Sequence, residues 1–425
     1  MVKPQQRSDR LATLRSLVAP FDPGVKAFQA ETHRVVTPAQ TMRRLRPILP
    51  SMGITRVGNV TGLDCIGLPT VVVYRPNARS LAVSQGKGLT LDAARVSGVM
   101  ESIESYHAER VLLPMRLGSA NDLCHALHLV DIMEIPRTSV VPLNYDIQFL
   151  WVEGIDIMQG GSTWVPYESV HIDSTLQGRI NPGIFCCSTN GLASGNHLLE
   201  AICYAICEVV ERDSTTLWGL ASEEIRDATR IDLESVDDPL CREVLSKFAQ
   251  AGVVTAVWET TSDIGIPAFT CLIVEREEDV LRSLHSASGQ GCHGSREVAL
   301  LRALTEAAQT RLTVISGVRD DVMRGEYDRH RNPDQLRYVR QLVQGNADGK
   351  RSFRDVPTFS GETFAEDIAW QLERLQAVGL EHVIVCDLSQ VRFEVPVVKV
   401  IIPGLEGNYD FPNYEFGRRA RKVSA

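Results

Sequence analysis

The sequence predicts an α+β fold. Three observations carry this expectation: strand-like and helix-like stretches mix without strict βα alternation, three long segments have the apolar periodicity of helices, and short alternating or apolar runs lie between Gly and Pro breaks. The 425 residues suffice for two or three subdomains. No internal repeat is visible in the sequence.

Residues 1–50 read as an appended N-terminal region. Near its end, TPAQTMRRLRPILP (37–50) is a basic amphipathic helix stopped by its prolines. ITRVGNVTGLDCIGLPTVVVYRP (54–76) alternates and runs apolar as strands do, with breaks at Gly and Pro. SLAVSQGKG (80–88) is a third strand-like stretch feeding the long helix LTLDAARVSGVMESIESYHAER (89–110). The middle, to about residue 190, mixes short strands and turns, and VPLNYDIQFLWVEGIDIM (141–158) is its β-rich part. STNGLASGN (188–196) then enters the helix NHLLEAICYAICEVVERD (196–213). VVTAVWETT and AFTCLIVER are paired strands, and REVALLRALTEAAQTRLTVI (296–315) is the third strong helix. Residues 319–360 are polar and turn-rich, as in an insertion or mobile loop. EHVIVCDLS and VPVVKVIIPG close the sheet. The last residues, 406–425, are expected to be a partly disordered tail.

The totals exclude several functions. A net charge of −9, from 44 basic and 53 acidic residues, argues against a nucleic-acid binder. MVKPQQRSDR is no secretory signal, and no stretch reaches the length of a membrane span. The ten cysteines are scattered with no CxxC, as expected of reduced thiols in the cytoplasm. His125 with His128, and Cys292 with His293, lack the second half of a zinc site.

Three acids in the 196–213 helix stand out. With Glu200 at zero, Glu208 falls near ~80° and Glu211 near ~20° on the helical wheel, inside about a quarter turn. The rest of that helix is apolar. The 89–110 helix repeats the arrangement, with Ser97, Glu101 and Glu104 inside ~60°. Taken singly, such acids are surface ion-pair partners. As two narrow stripes on apolar helices, they read as the lining of a cleft. Five facing carboxylates need a counterion, and hard Mg²⁺, which bridges carboxylates to phosphates, suits them.

The surroundings favour a phosphate-bearing ligand. STNGLASGN is a Gly-rich turn before a helix, with Asn196 as the candidate N-cap. SQGKG (84–88) reads as a second Gly-rich turn, with Lys87 either solvated or near the ligand. It is not a phosphate-binding Walker loop, because Leu81 and Gly88 stand where that motif needs Gly and a hydroxyl residue. Arg212 lies at the edge of the acidic stripe, in reach of a phosphate. Arg302, Glu306 and Gln309 share one face of the third helix, where Arg302 and Glu306 either pair with each other or face the ligand.

SQGKGLTLDAARVSGVMESIE, STNGLASGNHLLEAICYAICEVVERD and GCHGSREVALLRALTEAAQTRL resemble the YcaO family, in the paired signatures SxxxExxE and N-x3-E-x7-E-x2-ER. The resemblance implies a catalytic region over 51–405, in which small subdomains surround one ATP. It also implies an activity: ATP phosphorylates a backbone amide oxygen, which a nucleophile then replaces. Carried over, Glu101, Glu104, Glu200, Glu208 and Glu211 hold Mg²⁺. Ser97, Asn196 and Arg212 contact the nucleotide, and Arg34 and Thr41, seven apart, meet its phosphates. Arg302 and Glu306 complete the nucleotide set, and Glu211 and Arg212 are the catalytic candidates. Where some members have a serine three residues before the Asn, this chain has Ala193, with Ser194 as a substitute. The stretch 53–88 resembles the branch found with TfuA-type partners, which points to thioamide formation on a peptide or protein. Azoline formation on a ribosomally made precursor, and a non-catalytic ATP-binding accessory role, are the alternatives. A homodimer is expected.

Overall fold

The first three-stranded sheet is antiparallel, with strands Arg56–Asn59, Thr70–Tyr74 and Val83–Lys87 in that order. Its central strand buries Val71, Val72 and Val73, so both faces are covered. The helix Leu91–Ala108, N-capped by Thr90, lies across it. A Cβ at Gly86 would stand 2.1 Å from both Ala94 O and Gly98 N of that helix. SQGKG is therefore not a turn, as the sequence suggested. It ends a strand, and its glycine lets helix and sheet touch. We describe residues 17, 20–176, 182–277, 284–319, 321, 325, 332–345 and 351–423 of this computed structural model.

A second unit has the same build. Val253–Glu259, Ala268–Glu275 and Ala287–Cys292 form an antiparallel sheet in chain order. The helix Arg296–Ser316 packs on it, starting at the Ser295 cap and ending at Gly317 with φ 60°. A Cβ at Gly291 would stand 2.2 Å from Ala299 O and 2.6 Å from Ala303 N. In both units the glycine meets the helix residues eight and twelve positions on. The repetition is thus one of architecture, which the sequence does not display.

A six-stranded sheet lies against the helix Leu91–Ala108 of the first unit. Leu192–Ser194, Val397–Ile401, Ile384–Asp387, Phe149–Asp156 and Met115–Gly118 follow one another, and Ser162–Pro166 pairs with Phe149–Asp156. The 23-residue helix Leu198–Leu220 packs on Val397–Ile401 and against the helix Phe364–Ala377. Its cap is His197, whose ring nitrogen accepts from Leu199 N at 3.2 Å. Asn196, the expected cap, sits one residue too early. Its side-chain oxygen instead accepts from Thr41 and Arg44, at 3.0 and 3.1 Å. The helix Pro38–Leu45 matches the expected basic helix, with Pro38 at its first turn.

Two polar stretches are more ordered than their composition suggested. Within 319–360, Pro333–Gln344 is a helix capped by Asn332, which buries Leu336 and Val343 beside Trp258 and Val274. Residues 320, 322–324, 326–331 and 346–350 of that stretch lie outside the described residues. In the C-terminal stretch, Tyr414–Glu415 pairs with Arg137–Thr138, and Arg418–Val423 is helical. Buried Glu406 organises it by accepting from Tyr414 Oη, Gly417 N and Ala420 N at 2.8, 2.9 and 2.8 Å. Residues 424–425 lie outside the description. No helix among the described residues is long and apolar enough to cross a membrane.

Candidate functional site

The two βββα units face each other across a cleft of about 560 Å³, with the Leu198–Leu220 helix between them. All twelve residues nominated from the sequence line this one cavity: Arg34, Thr41, Ser97, Glu101, Glu104, Asn196, Glu200, Glu208, Glu211, Arg212, Arg302 and Glu306. The acids of both helical stripes thus share one cavity.

On the first unit, Glu104 Oε1 accepts from Ser194 N and Ser194 Oγ at 2.8 and 2.6 Å. Ser194, proposed as a stand-in for the missing serine at Ala193, is thus committed to Glu104. Glu101 Oε1 accepts from Gln85 N at 3.4 Å, and Ser97 Oγ accepts from Lys87 N at 3.4 Å. Burial pushes Glu104 up to about 8 and Glu101 up to about 7. On the central helix, burial also raises Glu208 to about 7, against the pull of Arg212, and raises Glu211. These carboxylates stand in a place where ionisation lacks compensation.

The basic groups are interleaved. Arg34 lies 3.3 Å from Glu200 and stacks 4.0 Å over the Tyr204 ring. Glu200 also accepts from Val35 N and Asn196 N, at 3.0 and 3.2 Å. Arg212 reaches Glu211 at 3.5 Å and donates to Gln290. Arg302 sits 5.8 Å from the Tyr204 ring. Glu306 is paired with Lys87 at 2.6 Å, rather than with its helix neighbour Arg302. Burial would raise Glu306, but Lys87, Arg212 and Arg302 outweigh it and hold the group below the usual carboxylate range.

The donor set fits a magnesium nucleotide. Glu211 Oε2 is a buried acceptor and Arg302 Nε a buried donor, each without a protein partner. An orphan acceptor facing the same cleft as an orphan donor suits a ligand that brings both cations and anionic oxygens. Among the described residues no three acids converge closely enough to chelate an ion alone.

Sequence reasoning left out several lining residues. Tyr204 follows Glu200 by four positions, on the same stripe, so the wheel would have found it. Lys87 was weighed and not chosen. Glu31, whose carboxylate accepts from Leu89 N, and Arg319 carry no local signal. Lys399, in the strand Val397–Ile401, does not line the cleft; it is 2% exposed and is drawn down to about 8 by burial, which Glu208 opposes.

Comparison with known proteins agrees with this geometry. Residues 85–406 match the YcaO cyclodehydratase family, described as ATP- and Mg²⁺-binding. An uncharacterized protein in the tfuA 3′ region of Rhizobium leguminosarum bv. trifolii is 36% identical over 391 residues, covering 91% of this chain and 92% of that protein. The structure of YcaO from Methanopyrus kandleri, bound with AMPPCP and Mg²⁺, superposes with a TM-score of 0.66 at 22% identity, over 89% of this chain and 94% of that one. A heterocyclase in complex with substrate and cofactor gives a TM-score of 0.73 at 20% identity, over 94% of this chain but only 56% of the heterocyclase. This chain belongs to the YcaO cyclodehydratase family, whose cofactors are ATP and Mg²⁺.

Proposed function

We propose that the protein is an ATP-dependent enzyme that activates a backbone amide of a peptide or protein, and that sulfur replaces the oxygen to give a thioamide. The carrying observation is the cleft itself. Its raised carboxylates and its orphan donor and acceptor await a cationic, phosphate-bearing ligand. The choice of sulfur is supported by the relative in the tfuA 3′ region. A TfuA-type partner, a homodimer and a cytoplasmic setting belong to the same reading.

The balance is simple. The terminal phosphoryl group of ATP passes to the amide oxygen, giving ADP. Sulfide then forms a C–S bond as the C–O bond breaks, and the oxygen departs with phosphate. The amide proton leaves with that phosphate, and the S–H proton ends on nitrogen. Nothing is oxidised or reduced. Bound Mg²⁺, at Glu101, Glu104, Glu200, Glu208 and Glu211, would supply charge neutralisation to the phosphates. Arg212 and Arg302 present guanidinium N–H groups to phosphoryl oxygens. Glu211 holds Arg212 in place, and Tyr204 supports Arg34 and Arg302 through its ring face. Arg34, Thr41, Ser97, Asn196 and Glu306 position the nucleotide. No side-chain nucleophile is required.

The test is turnover with a precursor peptide encoded near the gene, a TfuA-type partner, ATP, Mg²⁺ and sulfide. The expected product has gained the mass difference between sulfur and oxygen, with one phosphate released per exchange. Loss of one water instead would replace this reading with azoline formation. Nucleotide binding without turnover on any peptide would leave an accessory role.

A further inference from the structure

Behind the cleft lies a second pocket of about 50 Å³. One extended segment separates the two. Cys187, Ser188 and Thr189 line the cleft, while Cys186, Ser188 and Asn190 line the pocket. Lys399 lies on the pocket side and donates to Ser188 O at 2.5 Å. That carbonyl is the one acceptor its three ammonium protons meet among the described residues. Two more buried polar atoms of the lining, Ser169 Oγ and Asn190 Oδ1, have no partner. Most of the remaining wall is apolar, with Val209, Val400 and Ile402, and Leu405 and Phe411 line it as well.

A buried cation and unpartnered polar atoms in an apolar shell are costly unless something fills the space. The volume admits a ligand of a few heavy atoms, since one water needs roughly 10–15 Å³ on this measure. A peptide or nucleotide is far too large. A small anion with weak hydration suits both the ammonium and the apolar walls.

We propose that this pocket binds hydrosulfide and holds it at the Lys399 ammonium, one chain segment away from the reacting amide. The inference rests on the thioamide reading of the cleft and names where its nucleophile waits. The chemistry is the displacement already balanced above: the sulfur lone pair forms the C–S bond, and its proton ends on nitrogen. The pocket favours a free anion over a cysteine-bound sulfur. Burial pushes the Cys186 thiol up to about 12 and that of Cys187 up to about 11, so both stay protonated and weakly nucleophilic. The Cys187 thiol also donates to His171 O at 3.1 Å.

Two measurements on the full-length protein test the site. Crystals soaked in sodium bromide, an anion close to hydrosulfide in size and charge, should show an anomalous peak beside Lys399 Nζ that is lost in Lys399→Met. No peak in the pocket, or one that persists in Lys399→Met, overturns the proposal. In turnover, Lys399→Met and the pocket-filling Asn190→Leu should each raise the KM for sulfide at least about ten-fold, with Asn190→Leu leaving the affinity for a non-hydrolysable ATP analogue unchanged and Lys399→Arg retaining most function. An unchanged KM for sulfide in both variants also overturns it. If the wild type makes no thioamide, the reading of the cleft fails by itself, and the bromide measurement still decides whether the pocket is an anion site.

Discussion

Glu101 and Glu306 occupy the same place in the two βββα units. Each accepts from the backbone N–H of the glutamine that precedes the strand glycine, Gly86 or Gly291: Gln85 N at 3.4 Å and Gln290 N at 3.2 Å. Yet the first is raised to about 7 by burial, while the second lies below its ordinary range because cations outweigh burial. Around the first stand Ser97 and Glu104. In the second, Arg302 and Gln309 hold those positions, and Lys87 reaches across from the other unit. The shared architecture fixes where a carboxylate stands, and its neighbours decide its use. One wall of the cleft seeks cations, and the other presents them.

The comparison breaks most severely at the glycines. Gly86→Ala and Gly291→Ala should each cost about 3 kcal/mol or more in urea unfolding, because the added methyl meets helix backbone in both units. Gly58→Ala, whose nearest neighbour is 3.8 Å away, should cost less than about 1 kcal/mol. A cheap Gly291→Ala would mean that only the first unit depends on this close approach.

The next effect separates the two glutamates. Glu101→Gln should weaken Mg²⁺-dependent binding of an ATP analogue on the order of 100-fold by calorimetry, and Glu306→Gln about ten-fold. Equal losses would refute the division of labour. Glu208→Gln should match Glu101→Gln, with the circular dichroism spectrum intact.

pH tests the same asymmetry. Glu101, Glu104 and Glu208 keep protons to about 7, 8 and 7 in the folded protein, well above an unfolded glutamate. From about pH 4.5 upward these three groups bind more protons in the native state than in the unfolded state, so their contribution to ligand-free stability is fully present below that value and is lost as pH rises through 7 to 8. Thermal melts should fall by a few degrees across this window without ligand, and less with the magnesium nucleotide, whose binding should release protons at pH 6.5. The smallest effect is expected from Lys87→Met. It removes one cation from Glu306 and should move that group toward the value of Glu101, read by carboxyl NMR titration.

Helices and their inward faces were the legible part of this chain. The angular stripe of Glu200, Glu208 and Glu211 depends only on helical periodicity, and the cleft contains all three. Local composition misled where tertiary contact decides. SQGKG looked like a loop because glycine usually marks one, but Gly86 serves a helix in van der Waals contact. Asn196 had the chemistry of a cap, yet His197 takes the role, and Asn196 points to Thr41. Pro333–Gln344 hid its two buried residues among polar ones. The repeated unit went unseen because little but small residues, a glutamine and a glutamate recur in it, and these carry almost no pattern. Residues 1–16, most of the N-terminal region's first part, lie outside the described structure.

A salt bridge under the central helix, between Asp213 and Arg419, bears on synthesis. Asp213, two positions beyond Glu211, is fully buried and is met by Arg419 through two hydrogen bonds, at 2.9 and 3.0 Å, across 206 residues. A ribosome delivers these partners far apart in time. Until residue 419 emerges, the helix that carries Glu200, Glu208 and Glu211 holds an uncompensated carboxylate at its back, which disfavours burying it. The nascent chain thus has a built-in delay: the nucleotide cleft sets firmly only after nearly all of its walls have been made.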